Sequence, residues 1–450
     1  MSSEKAQQAT RIVRVLRDQG YSAYLVGGCV RDLLLGREPA DYDVATSATP
    51  DEVMRIFPQT FAVGAQFGVV LVPVRRDAEN GARENYAIEV ATYRSDGVYS
   101  DSRHPDEVQF SSDPRLDVQR RDFTINGLLL DPISQEVLDY VGGQADLQRR
   151  IIRAIGEPRR RFAEDKLRML RAVRFAARFE YEIEQQTFTA IRELAPEIHR
   201  VSHERIRDEI LKMLTEGHAR RAFELLDQAG LLEQVLPEVK KMQGVEQPPQ
   251  YHPEGDVWVH TLMLLEGLPA GVSKTLALGV LLHDVGKPPT FRIAPDRIRF
   301  DQHAEVGTAM AAEICRRFHM SNDETQQVCS LVANHMRFAD VTRMKQSTLK
   351  RFFRLPRFEE HLELHRLDCL SSHRDLSLYD FAREKYYALP EKEIRPEPLI
   401  TGEDLIAAGY KPGPKFRELL TAVEDAQLEG AIRSKEEALG LVKSKMEQDS

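Results

Sequence analysis

Cysteine is scarce in this 450-residue chain. The four residues, Cys29, Cys315, Cys329 and Cys369, show no paired spacing. A disulfide framework is therefore excluded, and reduced thiols in a cytoplasmic protein are expected. Long apolar runs are missing too. The longest, such as Leu278–Leu282, are far too short to span a membrane, and residues 1–20 are too polar for a signal peptide. No membrane partner is expected. Internal repeats and low-complexity segments are absent. Positive charge is not in excess: the net charge is −9, which argues against a nucleic-acid partner on composition alone. What is present is ordinary for a soluble globular protein, 42% hydrophobic and 30% charged, with length enough for three or four domains. The cations are unevenly placed, however. Arg149–Arg178 holds eleven Lys and Arg against three acids. Such a face can grip a phosphate backbone, or serve merely as a solvated arginine-rich helix pair.

The stretch Leu25–Thr46, LVGGCVRDLLLGREPADYDVAT, organises the rest. Tyr24–Val26 reads as the end of a strand, Gly27-Gly28 as a turn, and Val30–Leu35 as a short helix that Gly36 closes. A backbone turning through two glycines into a helix offers free N–H groups to a phosphate. Thirteen residues after Gly28 comes Asp41-Tyr42-Asp43. On an extended segment residues two apart point the same way, so Asp41 and Asp43 could hold a divalent cation together. Magnesium suits a site of a few carboxylates plus substrate phosphates. Either piece alone is commonplace, a plain turn or a solvated loop; the ordered combination is more specific.

That combination, GG-x-VRD-x-LLG-R followed by D-x-D, resembles the nucleotidyltransferase head shared by bacterial CCA-adding enzymes and poly(A) polymerases, the class II tRNA nucleotidyltransferases of the DNA polymerase beta-like superfamily. The resemblance implies that Gly28 and Arg31 contact an incoming nucleoside triphosphate and that Asp41 and Asp43 are the catalytic, magnesium-binding pair. In Ile88-Glu89-Val90 the apolar neighbours face one way and Glu89 the other; Glu89 is either a third carboxylate for the metals or an ordinary charge on an open sheet face. Arg120-Arg121-Asp122-Phe123-Thr124-Ile125-Asn126 resembles the family's RRDFT-[VI]-N element, which makes Arg121 a triphosphate contact.

Along the chain, residues 5–20 read as an amphipathic helix with Ile12, Val13, Val15 and Leu16 toward one side. Thr49 and Pro50 open another helix as cap and first residue. Phe67–Val74 and Tyr86–Thr92 read as strands, and Arg94–Ser112 as a mobile loop. From about Asp146 helices take over, an α/β head giving way to all-α structure. Glu164–Phe175 reads as one helix, and the spacing of Arg168, Arg171, Arg174 and Arg178 draws a single stripe. Asp165 and Arg168 match the family's EDxxR element, which implies that they select the base while Arg171 and Arg174 help bind the nucleotide. Val201–Thr215, capped by Ser202, looks like the family helix that closes this neck. Gln243–Pro253, with three prolines, reads as a linker.

A histidine-rich set then follows: His260, His283-Asp284, His303, His335 and Asp368. Imidazoles and carboxylates on separate helices make a metal site for hydrolysis, whereas a lone histidine on an apolar helix is more often a satisfied core residue. The order resembles the HD phosphohydrolase superfamily, which implies a transition-metal site, catalytic or reduced to a scaffold. Leu399–Pro414 fits the family's TGxDL…GxxPGP ending.

The expectation is thus an α+β chain: a small polymerase beta-like head at 1–145, an all-α neck at 146–218 for nucleotide selection and RNA binding, an HD-type body at 219–385 and a tRNA-binding helical tail at 386–450. The activity implied is addition of C, C and A to a tRNA 3′ end from CTP and ATP, with release of pyrophosphate. Poly(A) or A-only addition is the near rival. Val63–Val70 resembles the CCA branch better than the poly(A) branch, and Ser95–Ser112 resembles the loop needed for A addition. A rival of another class is an HD phosphohydrolase with a nucleotide-sensing head, against which the intact Asp41 and Asp43 count.

Overall fold

The computed structural model describes residues 3–61, 68–77, 83–96, 108–249, 255–295 and 297–448. Most of Val63–Val70, the centre of the Ser95–Ser112 loop and residues 250–254 of the linker lie outside the described residues. The chain forms two compact units, Met1–Pro237 and Glu238–Ser450.

The first unit begins with helix α1 (Glu4–Asp18), which buries Ala9, Ile12, Val13 and Leu16, against strand β1 (Ala23–Val26) and strand β2 (Asp43–Thr46). Val44 and Ala45 are fully buried, as strands covered on both faces require. With β3 (Val69–Asp77) and β4 (Arg83–Thr92) they form a mixed sheet in the order β3-β4-β2-β1, completed by Leu128–Leu130 and Val137–Asp139. All neighbours are antiparallel except β2 and β4, whose parallel register sets Asp43 against Glu89. The β1 strand ends at Val26 and helix α2 (Gly28–Leu34) follows after a single residue, Gly27.

Beyond the head the unit is mainly helical, with one short parallel ladder, Ile151–Ile152 with Glu182–Ile183. Leu167–Phe179 is its axis, burying Met169, Leu170, Ala172, Val173 and Ala176 between His203–Thr215 and Ala219–Gln228. Each large side chain so buried contributes about 1.5–3 kcal/mol. One expectation is corrected here: Glu164–Phe175 is not one helix. Pro158–Glu164 ends at Glu164, Asp165 is extended (φ −146°, ψ 107°), and the next helix starts at Leu167. The cause is local. The Asp165 carboxylate accepts the Leu167 N–H at 3.1 Å, a side-chain bond that competes with helix continuation. Asp165 therefore stands ahead of the helix that carries Arg168, not on its face.

The second unit packs Val257–Glu266, Lys274–Leu282, His303–Arg317, Asn322–Asn334 and Phe358–Ser371 together. A two-stranded ladder, Phe291–Ile293 with Ile298–Phe300, lies between the second and third of these in sequence. A Cβ added at Gly286 would lie 2.1 Å from the His303 carbonyl, so glycine alone permits this crossing. Three short helices end the chain around Leu405, Leu419, Val423, Ala438 and Val442. No helix among the described residues is long and apolar enough to cross a membrane.

Candidate functional site

In the first unit a cavity of about 690 Å³ gathers residues from three sequence regions: Gly27–Asp43, Arg120–Asn126 and Asp165–Glu216. Its floor is the turn after β1. Gly27 has φ +77°, a left-handed conformation that favours glycine, and a Cβ there would sit 3.2 Å from Arg121 Nη1. Arg121 thus lies directly over the glycine turn, held by Asp117 at 2.9 Å. Burial opposes charge on Asp117, but Arg121 and Arg120 outweigh it and hold the carboxyl below its ordinary value. Arg31 is buried beside Gly28. It donates to Asn126 Oδ1 at 2.7 Å, pairs with Asp32 at 2.8 Å and lies 4.5 Å over the Phe179 ring.

The carboxylates come next. Asp41 and Asp43 both line the cavity. Asp41 is open to solvent, with Lys5 Nζ at 3.3 Å. Asp43 is part-buried at the start of β2, and its register partner Glu89 emerges between the buried Ile88 and Val90. Burial first, then the charges of Glu89 and Asp41, push Asp43 up to about 6, against the pull of Arg121. An acid that burial and two neighbouring carboxylates keep from ionising readily is an arrangement that a divalent cation would relieve.

Every arginine of the stripe is paired with an acid, Arg174 and Arg178 sharing Glu216. Arg168 reaches Glu164 at 2.9 Å and the Arg120 carbonyl at 3.1 Å. Arg171 pairs with Asp122 at 2.7 Å. Burial resists charge on Asp122, yet Arg171 and Asn126 bring it down to about 2. Arg174 is buried against Glu209 at 2.6 Å and reaches Glu216 at 3.3 Å. Asp165 is gripped by Arg205, at 3.2 Å to Oδ1 and 2.8 Å to Oδ2. Sequence reasoning did not single out Arg205, Glu209, Glu216, Asp117 or Asn126. A weak signal existed for two of them: Arg205 and Glu209 are four apart in a capped helix, hence on one face.

In the second unit all six singled-out residues meet. His260, His283 and Asp368 have ligand atoms within 4.8 Å of one another, as do Asp284, His303 and His335. Asp284 reaches both groups, with Oδ2 3.3 Å from His283 Nε2 and Oδ1 3.7 Å from His303 and His335 Nε2. His260 Nε2 lies 3.1 Å from Asp368. The tautomers follow from neighbouring carbonyls, which only accept. His283, His303 and His335 each direct Nδ1 at one, Val280, Phe300 and Val332, at 2.8, 2.9 and 2.6 Å. Each Nε2 is then a bare lone pair. The Nε2 atoms of His303 and His335 nevertheless face each other at 3.2 Å. Burial lowers both pKa values, His335 to about 4, so neither ring is protonated at neutral pH. Two lone pairs at that distance suit a shared cation, and N/O donors suit a transition metal. Lys287 stands 2.7 Å from Asp284, and with His283 it holds that buried carboxyl well below its ordinary value although burial pushes the other way. A cavity of about 460 Å³ opens onto Asp284, His303, His335 and Asp368.

Residues 23–153 match the model of the poly A polymerase head domain. Residues 180–243 match the "Probable RNA and SrmB- binding site of polymerase A", and residues 300–442 match tRNA nucleotidyltransferase domain 2. The CCA-adding enzyme of Enterococcus faecalis is 34% identical over 436 residues, covering 96% of this chain and 94% of that one. The CCA-adding enzyme of Geobacillus thermodenitrificans is 45% identical over 225 residues, 50% of this chain; the match spans 53% of that relative's length. The solved structure of the Bacillus stearothermophilus CCA-adding enzyme in complex with CTP superposes with a TM-score of 0.74 at 27% identity, covering 99% of both chains. The fold is shared as well by the Thermotoga maritima CCA-adding enzyme complexed with tRNA, at TM-score 0.58 and 21% identity over 98% of this chain and 95% of that one.

Proposed function

The chain belongs to the CCA-adding enzyme family, and we propose that it adds C, C and A in turn to the 3′ end of tRNA, consuming CTP and ATP and releasing pyrophosphate. One observation carries this reading. A single cavity joins the carboxylates Asp41 and Asp43 to Arg121, Arg171 and the Asp165–Arg168 pair. A phosphoryl-transfer centre needs cation-holding acids and phosphate-holding arginines side by side. The CTP and tRNA complexes of related proteins support the same substrates.

Magnesium is the cation we assign to Asp41, Asp43 and Glu89, because hard carboxylate oxygens with open positions suit it and because Asp43 resists ionisation despite the pull of Arg121. When bound it supplies Lewis-acid stabilisation of the attacking and leaving oxygens. The remaining work falls to side chains. Arg121 and Arg31, with Gly28 leaving room, hold the triphosphate; Arg171 and Arg174 add charge along its path. Asp165 accepts from the exocyclic amine that cytosine and adenine share, and Arg168 donates to their ring acceptors. Arg205 already occupies part of the Asp165 carboxylate, but a carboxylate has about four acceptor positions, so room remains for a base. The test supplies RNA ending at the discriminator base, in C or in CC, with one labelled nucleotide at a time. Incorporation of C, then C, then A is expected. Incorporation of A alone on every end would refute the reading in favour of an A-only or poly(A) enzyme.

A second reading concerns the other unit. The shared position of Asp284 between two ligand groups supports an HD-type centre that holds a transition metal and hydrolyses phosphoesters. In functional terms we divide the chain into a head at 1–145, a neck at 146–218, a body at 219–385 and a tRNA-binding tail at 386–450. Four free cysteines and a tRNA substrate support a cytoplasmic setting.

A further inference from the structure

The arginines at the far end of the nucleotide cavity carry two different kinds of counter-ion. Arg174 and Glu209 form a sealed pair, 2.6 Å apart with side chains only 6% and 4% exposed. Removing either would strand a buried charge, so this pair is part of the framework. Glu216 is built differently. It follows the last turn of His203–Thr215, where its backbone N–H donates to the Lys212 carbonyl. One of its oxygens, Oε2, stands between two guanidinium groups, 3.3 Å from Arg174 Nη1 and 3.2 Å from Arg178 Nη1. Both distances are long for a charge-assisted bond, the side chain is 25% exposed, and it lies on the cavity wall beside Arg174 and Arg178. An anionic oxygen bridging two arginines, within reach of water and in a cavity lined with cations, occupies the kind of place a phosphate oxygen takes.

We propose that Glu216 is an exchangeable internal anion that competes with a substrate phosphate for Arg174 and Arg178, and so sets how tightly the cavity holds its phosphorylated substrate. The inference rests on the cavity being the nucleotide and RNA-end site. A wet, long ion pair is worth little, so a phosphate group, with more charge and more acceptor oxygens, displaces it readily. The phosphate comes either from the triphosphate of the incoming nucleotide or from the backbone of the RNA end. Both present the same chemistry, and Glu216 then swings toward the solvent that already reaches it.

The test measures Kd for CTP without RNA, and Kd for tRNA without nucleotide, in wild type and Glu216→Gln, each over a range of salt. Glutamine keeps the shape and an acceptor but removes the charge. One of the two affinities is expected to tighten by about two- to fivefold. If the RNA backbone is the competitor, the tRNA arm tightens and its log–log salt slope steepens by about 0.7, the value of one freed contact. If the triphosphate is the competitor, the CTP arm tightens and KM for CTP falls while kcat holds. Adding Arg178→Ala should remove most of the gain. Should the Gln variant not fold, Glu216→Asp, which withdraws the carboxylate by one methylene, gives a smaller change of the same sign. Unchanged Kd in both arms for a folded variant overturns the proposal. Arg121→Ala is the control for the underlying reading. If Arg121→Ala binds CTP as wild type does, the cavity is not the nucleotide site; if it weakens CTP while Glu216→Gln changes nothing, only the role of Glu216 falls.

Discussion

Asp43 offers the sharpest quantitative test. Its carboxyl is raised from 3.8 to about 6 by burial and by the charges of Glu89 and Asp41. Between those values the folded protein holds a proton that the unfolded chain releases, so metal-free stability falls as pH rises through the window and is level above it. Raising a carboxyl that far corresponds to about 3 kcal/mol. Asp43 is only part-buried, so solvent screening reduces the figure to about 2 kcal/mol. Asp43→Asn removes the charge and keeps the volume. At pH 8, in chelator, the first unit of the variant should therefore unfold about 4–8 °C above that of wild type. At pH 4 the two should coincide. Added magnesium should reverse the order, stabilising wild type and leaving Asp43→Asn unmoved, with nucleotide addition abolished. The assay is thermal unfolding from pH 4 to 8, with and without the metal. If metal-free Asp43→Asn is no more stable than wild type at pH 8, the acids of this site are not crowded in the way the register of β2 and β4 requires.

Three further outcomes are expected. Asp165→Ala should lose tenfold to hundredfold of its preference for CTP over UTP, the value of about 1–3 kcal/mol for an unmatched buried polar group, while magnesium dependence persists; kcat/KM for the four nucleotides on matched tRNA ends checks it. Asp122→Asn should cost about 2 kcal/mol at pH 7, because Arg171 depresses this buried carboxyl to about 2. That difference should fade as pH falls from 4 toward 2, as urea titrations across the range would show. His283→Ala should abolish bound transition metal, measured by elemental analysis, together with any phosphodiesterase activity on a 2′,3′-cyclic phosphate. A variant that keeps full metal content would refute the ligand assignment at His283.

Local signals carried much of this protein. The Gly27-Gly28 turn, the Asp41–Asp43 pair, the Thr49–Glu52 capping box and the amphipathic α1 all arise from residues within a few positions of one another, where backbone geometry fixes direction. The same holds for the change from an α/β head to a mainly helical remainder, though the expected all-α character is interrupted by two short two-stranded ladders. Where one local preference competed with another, the sequence misled. Helical spacing through Glu164–Phe175 is intact, yet a short carboxylate bonding its own backbone broke the helix at Asp165.

What the sequence by itself determined, then, was which residues carry charge, which could ligate, and in what order they come. Only the tertiary structure decided which of them meet. Glu89 joins Asp43 because two strand positions 46 residues apart in sequence pair in parallel, and no periodicity encodes that register. Asp284 bridges two histidine groups because a glycine, Gly286, lets the His303 backbone approach where any side chain would collide. Arg205, Glu209 and Glu216 become partners of Asp165, Arg174 and Arg178 through the packing of two helices along their apolar faces. Such pairings are settled by the burial of apolar surface over the whole unit, a long-range quantity that a chain read residue by residue does not contain.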